Sequence, residues 1–150
     1  MSAFISFQPE FAWSALTVAA MAIQCTGFGF AAGIQRKRFN VPYPDMGNGR
    51  HAAKLSDKDW ETFNNYQRAH HNYLEQLPSA QILTLLSALF YPRASALVSL
   101  IYILGRQIYG MGYQSKGSSG RIPGAPISTF SLAGLAILTI HGSLKTLGFL

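Results

Sequence analysis

Charged residues are scarce in this 150-residue chain, and acidic residues are the scarcest of them. Asp, Glu, Lys and Arg together make up 12% of the sequence, about half the share that is usual in soluble proteins. The chain has six acidic and twelve basic residues, which gives a formal net charge of +6. The basic residues do not interleave with aromatic residues along an extended surface, so we expect no nucleic-acid binding. The excess of positive charge indicates membrane orientation and an anionic ligand.

The sequence also lacks the features of disulfide, metal and hydrolase chemistry. Its single cysteine, Cys25, excludes an intrachain disulfide. His70 and His71 are adjacent, so on a helix they point to different sides, and we expect no metal site. There is no Ser–His–carboxylate grouping and no phosphate-binding glycine loop. Met1–Ile5 has no basic segment, so we expect no cleaved signal peptide and the first apolar block to remain as a membrane anchor.

Apolar residues make up 49% of the chain and are gathered in blocks. The first block contains no formal charge, and as a helix it would be roughly 36 Å long, enough to cross a bilayer core of about 30 Å. We predict an all-α, integral membrane four-helix bundle that forms one domain over residues 1–150. The predicted spans are 11–34, 68–91, 94–113 and 127–147. Residues 114–126 are expected to form a loop.

The second span begins with an unusually polar segment. Arg68, Asn72 and Glu75 have the spacing i, i+4 and i+7, so on a helix they share one face. The helix is predicted to begin after Ser56 and to project from the membrane, which places this face near the interface. Polar groups at the edge of a bilayer core are expensive, so by default they mark a functional site.

A second polar face follows on the third span, where Arg106, Tyr109 and Tyr113 have the spacing i, i+3 and i+7. Because consecutive spans run in opposite directions, the two faces should meet at one level of the bundle. The segments before the second span and after the third carry most of the Lys and Arg residues, which places this level on the cytosolic side. The cationic groups and the one carboxylate suit a small ligand with carboxylates and an amine.

Three segments together resemble the MAPEG family, the membrane-associated proteins of eicosanoid and glutathione metabolism. Residues 68–75 with Pro78 resemble the family's RAxxNxxE…P signature. Residues 105–113 resemble its third-helix motif, and residues 36–44 resemble the end of its first helix.

This resemblance implies a homotrimer that binds glutathione between neighbouring subunits near the cytosolic face. It implies that Arg121 activates the glutathione thiol. It implies further glutathione contacts from Arg68, Asn72, Glu75, Tyr109 and Tyr113, with Arg36 and His70 reaching in from the neighbour. The second substrate would be a hydrophobic electrophile or a lipid hydroperoxide. The implied location is the endoplasmic reticulum membrane, with the outer mitochondrial membrane as the alternative.

Two other functions are consistent with parts of the pattern. One is a non-catalytic lipid-binding scaffold of the same superfamily, and the retained polar residues favour the enzyme over it. The other is a proton or ion pathway built on the histidines and Glu75. That pathway is disfavoured because the polar groups lie at one membrane face and do not continue through the bilayer.

Overall fold

The computed structural model describes residues 8–150, and in this part of the chain the regular structure is entirely helical. Residues 1–7, to which the expectation about a signal peptide applies, lie outside it. The four long helices are α1 (Phe11–Arg38), α2 (Asp57–Phe90), α3 (Pro92–Gly120) and α4 (Gly124–Thr146). A short 3-10 helix, Ala52–Lys54, lies between α1 and α2.

The helices pack as a bundle in which α2 and α3 are the central pair. Each of these two contacts the other and also contacts both α1 and α4. The core contains Tyr73 and Tyr102, whose rings meet edge to face with centroids 6.4 Å apart, and Met21 from α1. Gly110 lets α3 approach α1, because a Cβ there would overlap the ring of Phe28. The predicted all-α four-helix bundle is thereby confirmed.

Large apolar side chains cover the outside of the bundle. Ile23, Phe30 and Phe130 are each more than 70% exposed. Three helices, α1, α3 and α4, are long and apolar enough to cross a membrane. The α2 helix falls outside this group because its first half is polar, so a crossing by residues 68–91 stays a prediction.

The boundaries of α2 agree with the sequence prediction. Ser56 caps the helix, since its hydroxyl accepts a hydrogen bond from the backbone N–H of Asp59 at 3.2 Å. The boundaries of α1 and α4 differ from the predicted spans by a few residues. The α1 helix continues through Arg36, Lys37 and Arg38, and α4 begins at Gly124.

The predicted loop over residues 114–126 is wrong in part, because the backbone up to Gly120 is helical on both sides of a kink in α3. Its backbone departs from helical geometry at Gly117, where φ is 65° and ψ is −151°. Two basic residues, three glycines and two prolines favoured a loop in this segment, yet a single glycine supplies the change of direction. The turn that follows is therefore short, with α4 beginning at Gly124.

The loop between α1 and the 3-10 helix is organised around the side chain of Asp45. Its two carboxylate oxygens accept hydrogen bonds from four backbone N–H groups, those of Gly47, Gly49, His51 and Ala52, at 2.8–2.9 Å. Desolvation by itself would raise the pKa of this carboxyl. The four N–H groups outweigh it and hold the pKa of Asp45 well below its usual value of 3.8.

We predict that Asp45→Ala lowers the melting temperature at neutral pH, at a cost of about 2–4 kcal/mol, because several backbone donors lose their acceptor. A carboxyl group whose pKa is lower in the folded than in the unfolded protein stabilises the fold at pH values above its unfolded pKa. This contribution is lost as the pH falls through the pKa of the folded protein. The melting temperature of the wild type in detergent should therefore decrease as the pH is lowered below 3.8. The melting temperature of Asp45→Ala should decrease less over the same pH range. Asp57→Ala, at an exposed position, is the control. Equal acid sensitivity of the wild type and Asp45→Ala would contradict this account.

Candidate functional site

A partly open cleft of about 180 Å³ lies between α2 and α3. It lies beside residues 68–75 of α2 and the C-terminal part of α3. Its lining combines two arginines, one carboxylate, one carboxamide and two phenols. The lining residues are Arg68, Asn72, Glu75, Tyr109, Tyr113 and Arg121. The structure thus brings together six of the eight residues that the family resemblance implied for a glutathione site.

The α2 wall of the cleft carries its charged groups toward solvent. Arg68 and Glu75 are exposed, and Asn72 between them is half-buried. The Asn72 carboxamide donates to a Glu75 carboxylate oxygen at 3.4 Å. These three residues lie on one face because α2 is helical throughout this segment, as their spacing predicted.

The opposite wall is built from two tyrosines of α3 and from the residue that follows this helix. The rings of Tyr109 and Tyr113 are tilted against each other with centroids 5.9 Å apart. The guanidinium of Arg121 donates a hydrogen bond to the hydroxyl of Tyr109 at 3.4 Å. This hydrogen bond, with the nearby phenols, raises the pKa of Arg121. The guanidinium therefore stays charged at every physiological pH.

Arg106 lies behind the cleft and does not line it. It is 1% exposed, and its guanidinium donates to the side-chain oxygens of Asn72 at 2.9 Å and Gln76 at 3.3 Å. The same guanidinium lies 4.6 Å from the ring centroids of both Tyr73 and Tyr109. Arg106 therefore joins the two walls of the cleft from inside the bundle. Sequence spacing placed it on the polar face of α3 but could not show this burial.

A chain of polar side chains extends from Tyr73 toward α1. The Tyr73 hydroxyl donates to Gln24 at 2.7 Å, and the Gln24 carboxamide donates to Gln107 at 2.7 Å and to the carbonyl of Ile103 at 3.1 Å. These hydrogen bonds satisfy polar groups that would find no hydrogen-bond partner among lipid tails. The Gln24 side chain therefore faces the other helices of the bundle.

Arg36 and His70 lie away from the cleft within this chain. Arg36 is 6% exposed, donates to the backbone carbonyls of Val41 and Asp45, and lies 4.1 Å from the Tyr43 ring centroid. It therefore helps to hold the loop after α1. His70 packs against α1 at Gly29, where a Cβ would come within 3.0 Å of its ring. A contact of either residue with a ligand would have to involve a neighbouring subunit and stays a prediction.

Within residues 8–150, no ion pair neutralises the charges of the cleft. Among residues 8–150 the ion pair found is Arg93–Glu10, at the other end of the bundle. Arg68, Arg121 and Glu75 therefore offer two positive groups and one negative group to a ligand. Residues 8–150 contain no group of three His, Cys, Asp or Glu side chains placed to hold a metal ion. That this protein needs no metal stays a prediction.

Comparison with known families agrees with the fold. Residues 13–141, most of the chain, match the model of the MAPEG family. The chain belongs to the MAPEG family. MAPEG proteins are membrane bundles that include glutathione transferases and related enzymes and use glutathione as a substrate. With its three membrane-capable helices, this MAPEG chain is an integral membrane protein.

We predict that Arg106→Leu destabilises this MAPEG protein by about 2–4 kcal/mol, because the partly buried side-chain oxygens of Asn72 and Gln76 lose their donor and the buried contacts of the guanidinium with two tyrosine rings are lost. Arg106→Lys should recover only part of this loss, since an ammonium cannot replace a planar guanidinium between two rings. Melting temperatures in detergent measure both effects. Leu104→Ala, at a 62% exposed position of the same helix, serves as the control. A melting temperature unchanged by Arg106→Leu would refute a structural role for the guanidinium.

Proposed function

We propose that this protein is a membrane glutathione transferase with accompanying peroxidase activity, which ionises the thiol of glutathione in the cleft between α2 and α3. One observation carries the proposal. A permanently charged guanidinium, that of Arg121, faces Arg68, Asn72 and Glu75 across a single cleft. This combination offers groups that grip a zwitterionic peptide and a separate cation for its sulfur.

The grip on glutathione follows from the charge of each side chain. Glutathione has two carboxylates and an amine, and Arg68 can bind a carboxylate through two parallel N–H···O bonds. Glu75 is the one carboxylate lining the cleft and complements the amine. Asn72 is held by Arg106 and so presents its carboxamide in a fixed orientation. Tyr109 and Tyr113 supply hydroxyl groups on the other wall.

Arg121 activates the thiol electrostatically. A free thiol has a pKa of about 8.5 and is mostly protonated at neutral pH, whereas the thiolate is the nucleophile. Lowering the pKa by two units requires about 2.7 kcal/mol of preferential stabilisation of the anion. One guanidinium next to the sulfur in a poorly hydrated site can supply this amount. Arg121 suits the role because its charge does not depend on pH.

The second substrate is a hydrophobic electrophile or a lipid hydroperoxide, which reaches the site from the membrane. In conjugation, the thiolate forms a carbon–sulfur bond and the leaving group departs with its electron pair. In peroxide reduction, the thiolate attacks the distal oxygen and releases the lipid alkoxide, which takes up a proton. The resulting sulfenic acid then reacts with a second glutathione to give the disulfide and water.

The details of the sequence favour one branch of the family. His70, the Val41–Pro44 segment and the Tyr91–Arg93 turn are most similar to type-3 microsomal glutathione transferase. Gln76 stands where the leukotriene-conjugating synthase has a tyrosine, which argues against leukotriene specificity. By the same resemblance we propose a homotrimer of the endoplasmic reticulum membrane.

In this homotrimer Arg36 and His70 reach glutathione from the neighbouring subunit. The alternative function is a non-catalytic lipid-binding scaffold. Such a scaffold would bind lipid without ionising glutathione.

We predict that the protein with bound glutathione shows ultraviolet thiolate absorbance at neutral pH, and that Arg121→Ala abolishes it while glutathione still binds. The expected rise in the thiol pKa follows from losing the cation beside the sulfur. Lys116→Ala, on the same exposed segment, should leave the signal in place. A full thiolate signal in Arg121→Ala would move the activating role to another cation, such as Lys116 or Arg36.

We also predict that Arg68→Ala and Glu75→Ala each weaken glutathione binding by about 10- to 100-fold, since each removes a charge-assisted hydrogen bond. Isothermal titration calorimetry in detergent measures the affinity. Arg50→Ala removes an exposed arginine outside the cleft and should have little effect. If neither Arg68→Ala nor Glu75→Ala weakens binding, the cleft is not the glutathione site.

A further inference from the structure

We propose that two glycines, Gly117 and Gly120, position Arg121 in the cleft by folding the end of α3 back onto its own backbone. This inference rests on the proposed activating role of Arg121. It concerns residues that do not line the cleft themselves.

The length of a continuous helix shows why the chain must change direction between Tyr109 and Arg121. Arg121 follows Tyr109 by twelve residues, and a straight helix would separate their Cα atoms by roughly 18 Å along its axis. Their side chains together do not span that distance. In the structure the guanidinium of Arg121 nevertheless lies 3.4 Å from the Tyr109 hydroxyl. The chain must therefore reverse between the two residues.

Gly117 supplies the reversal. Its φ of 65° and ψ of −151° lie in a region of backbone conformations that is essentially limited to glycine. Space is not the constraint here, because the heavy atoms nearest to a Cβ would be those of the Asn65 and Glu61 side chains, at 3.5 Å, an ordinary van der Waals contact. At position 117 a residue with a Cβ is thus disfavoured by the backbone conformation and not by a steric clash.

Gly120 and Gly112 supply the close contact that the reversal leads to. A Cβ on Gly120 would overlap the carbonyl group of Gly112, and a Cβ on Gly112 would overlap the carbonyl group of Gly120. These neighbours are backbone atoms, which cannot move aside as a side chain could. The residue before Arg121 is therefore fixed against α3 one turn beyond Tyr109.

A second backbone contact fixes the chain on the other side of Arg121. Gly124, the first residue of α4, lies so close to α3 that a Cβ would overlap the backbone nitrogen of Tyr109. Arg121 is thus held between two contacts of glycine with the α3 backbone. Its Cα position is set by the main chain, which leaves only the side chain to adjust to a ligand.

The test uses two variants that disturb the reversal at the end of α3 by different means. Gly117→Ala strains the backbone without a steric clash, and Gly120→Ala creates a clash without requiring a positive φ. Each should raise the apparent pKa of the bound glutathione thiol by about one unit, a tenfold decrease in its ionisation constant. The affinity for S-methylglutathione, whose sulfur cannot ionise, should stay close to that of the wild type. Gly33→Ala, where a Cβ meets nothing within 4 Å, is the control.

The double variant Gly117→Ala/Arg121→Ala shows whether the glycine acts through the arginine. If it does, the double variant has the same thiol pKa as Arg121→Ala alone, whereas an additional shift would overturn the inference. Gly117→Ala decides the test if Gly120→Ala does not give a folded protein by circular dichroism. An unchanged thiol pKa in Gly117→Ala, combined with a raised one in Arg121→Ala, would also overturn it. An unchanged pKa in Arg121→Ala itself would instead overturn the proposed function.

Discussion

The contact of the Arg106 guanidinium with both central helices is the interaction on which the arrangement of the candidate site depends. The side chain comes from α3, donates to Asn72 and Gln76 of α2, and lies between the rings of Tyr73 and Tyr109. A buried cation is normally paired with a carboxylate, yet Arg106 donates to the neutral side-chain oxygens of Asn72 and Gln76 and lies against aromatic faces. The cost of burying it is thus offset by hydrogen bonds and cation–π contacts that exist only when α2 and α3 are in register. The two walls of the cleft are aligned by the same contacts.

This arrangement separates two tasks that a glutathione-activating site must perform. The α2 wall carries Arg68 and Glu75 on a continuous helix, which suits a fixed grip on a peptide. Arg121, the cation that we propose for the sulfur, follows the reversed end of α3 and is held by backbone contacts near Gly120 and Gly124. The grip and the activation can therefore be altered independently. Family membership supports glutathione as the ligand, and the charges of the cleft complement its carboxylates and amine.

Helical spacing was sufficient to predict the α2 wall, because Arg68, Asn72 and Glu75 are close in sequence and their helix is regular. It also placed Tyr109 and Tyr113 together, since both lie before the break at Gly117. The position of Arg121 could not be derived in this way. It depends on one glycine backbone conformation and on contacts between segments that a loop prediction leaves undefined. The burial of Arg106 and the four N–H groups around Asp45 are likewise products of packing, which residue spacing does not reveal.

The central claim is that the cleft between α2 and α3 binds glutathione and lowers the pKa of its thiol. The most direct measurement is a pH titration of the ultraviolet absorbance of the wild-type protein saturated with glutathione in detergent. The account predicts a thiolate transition about two units below the free-thiol value of roughly 8.5, with S-methylglutathione giving no such transition. A bound thiol that titrates at the free value would contradict the account.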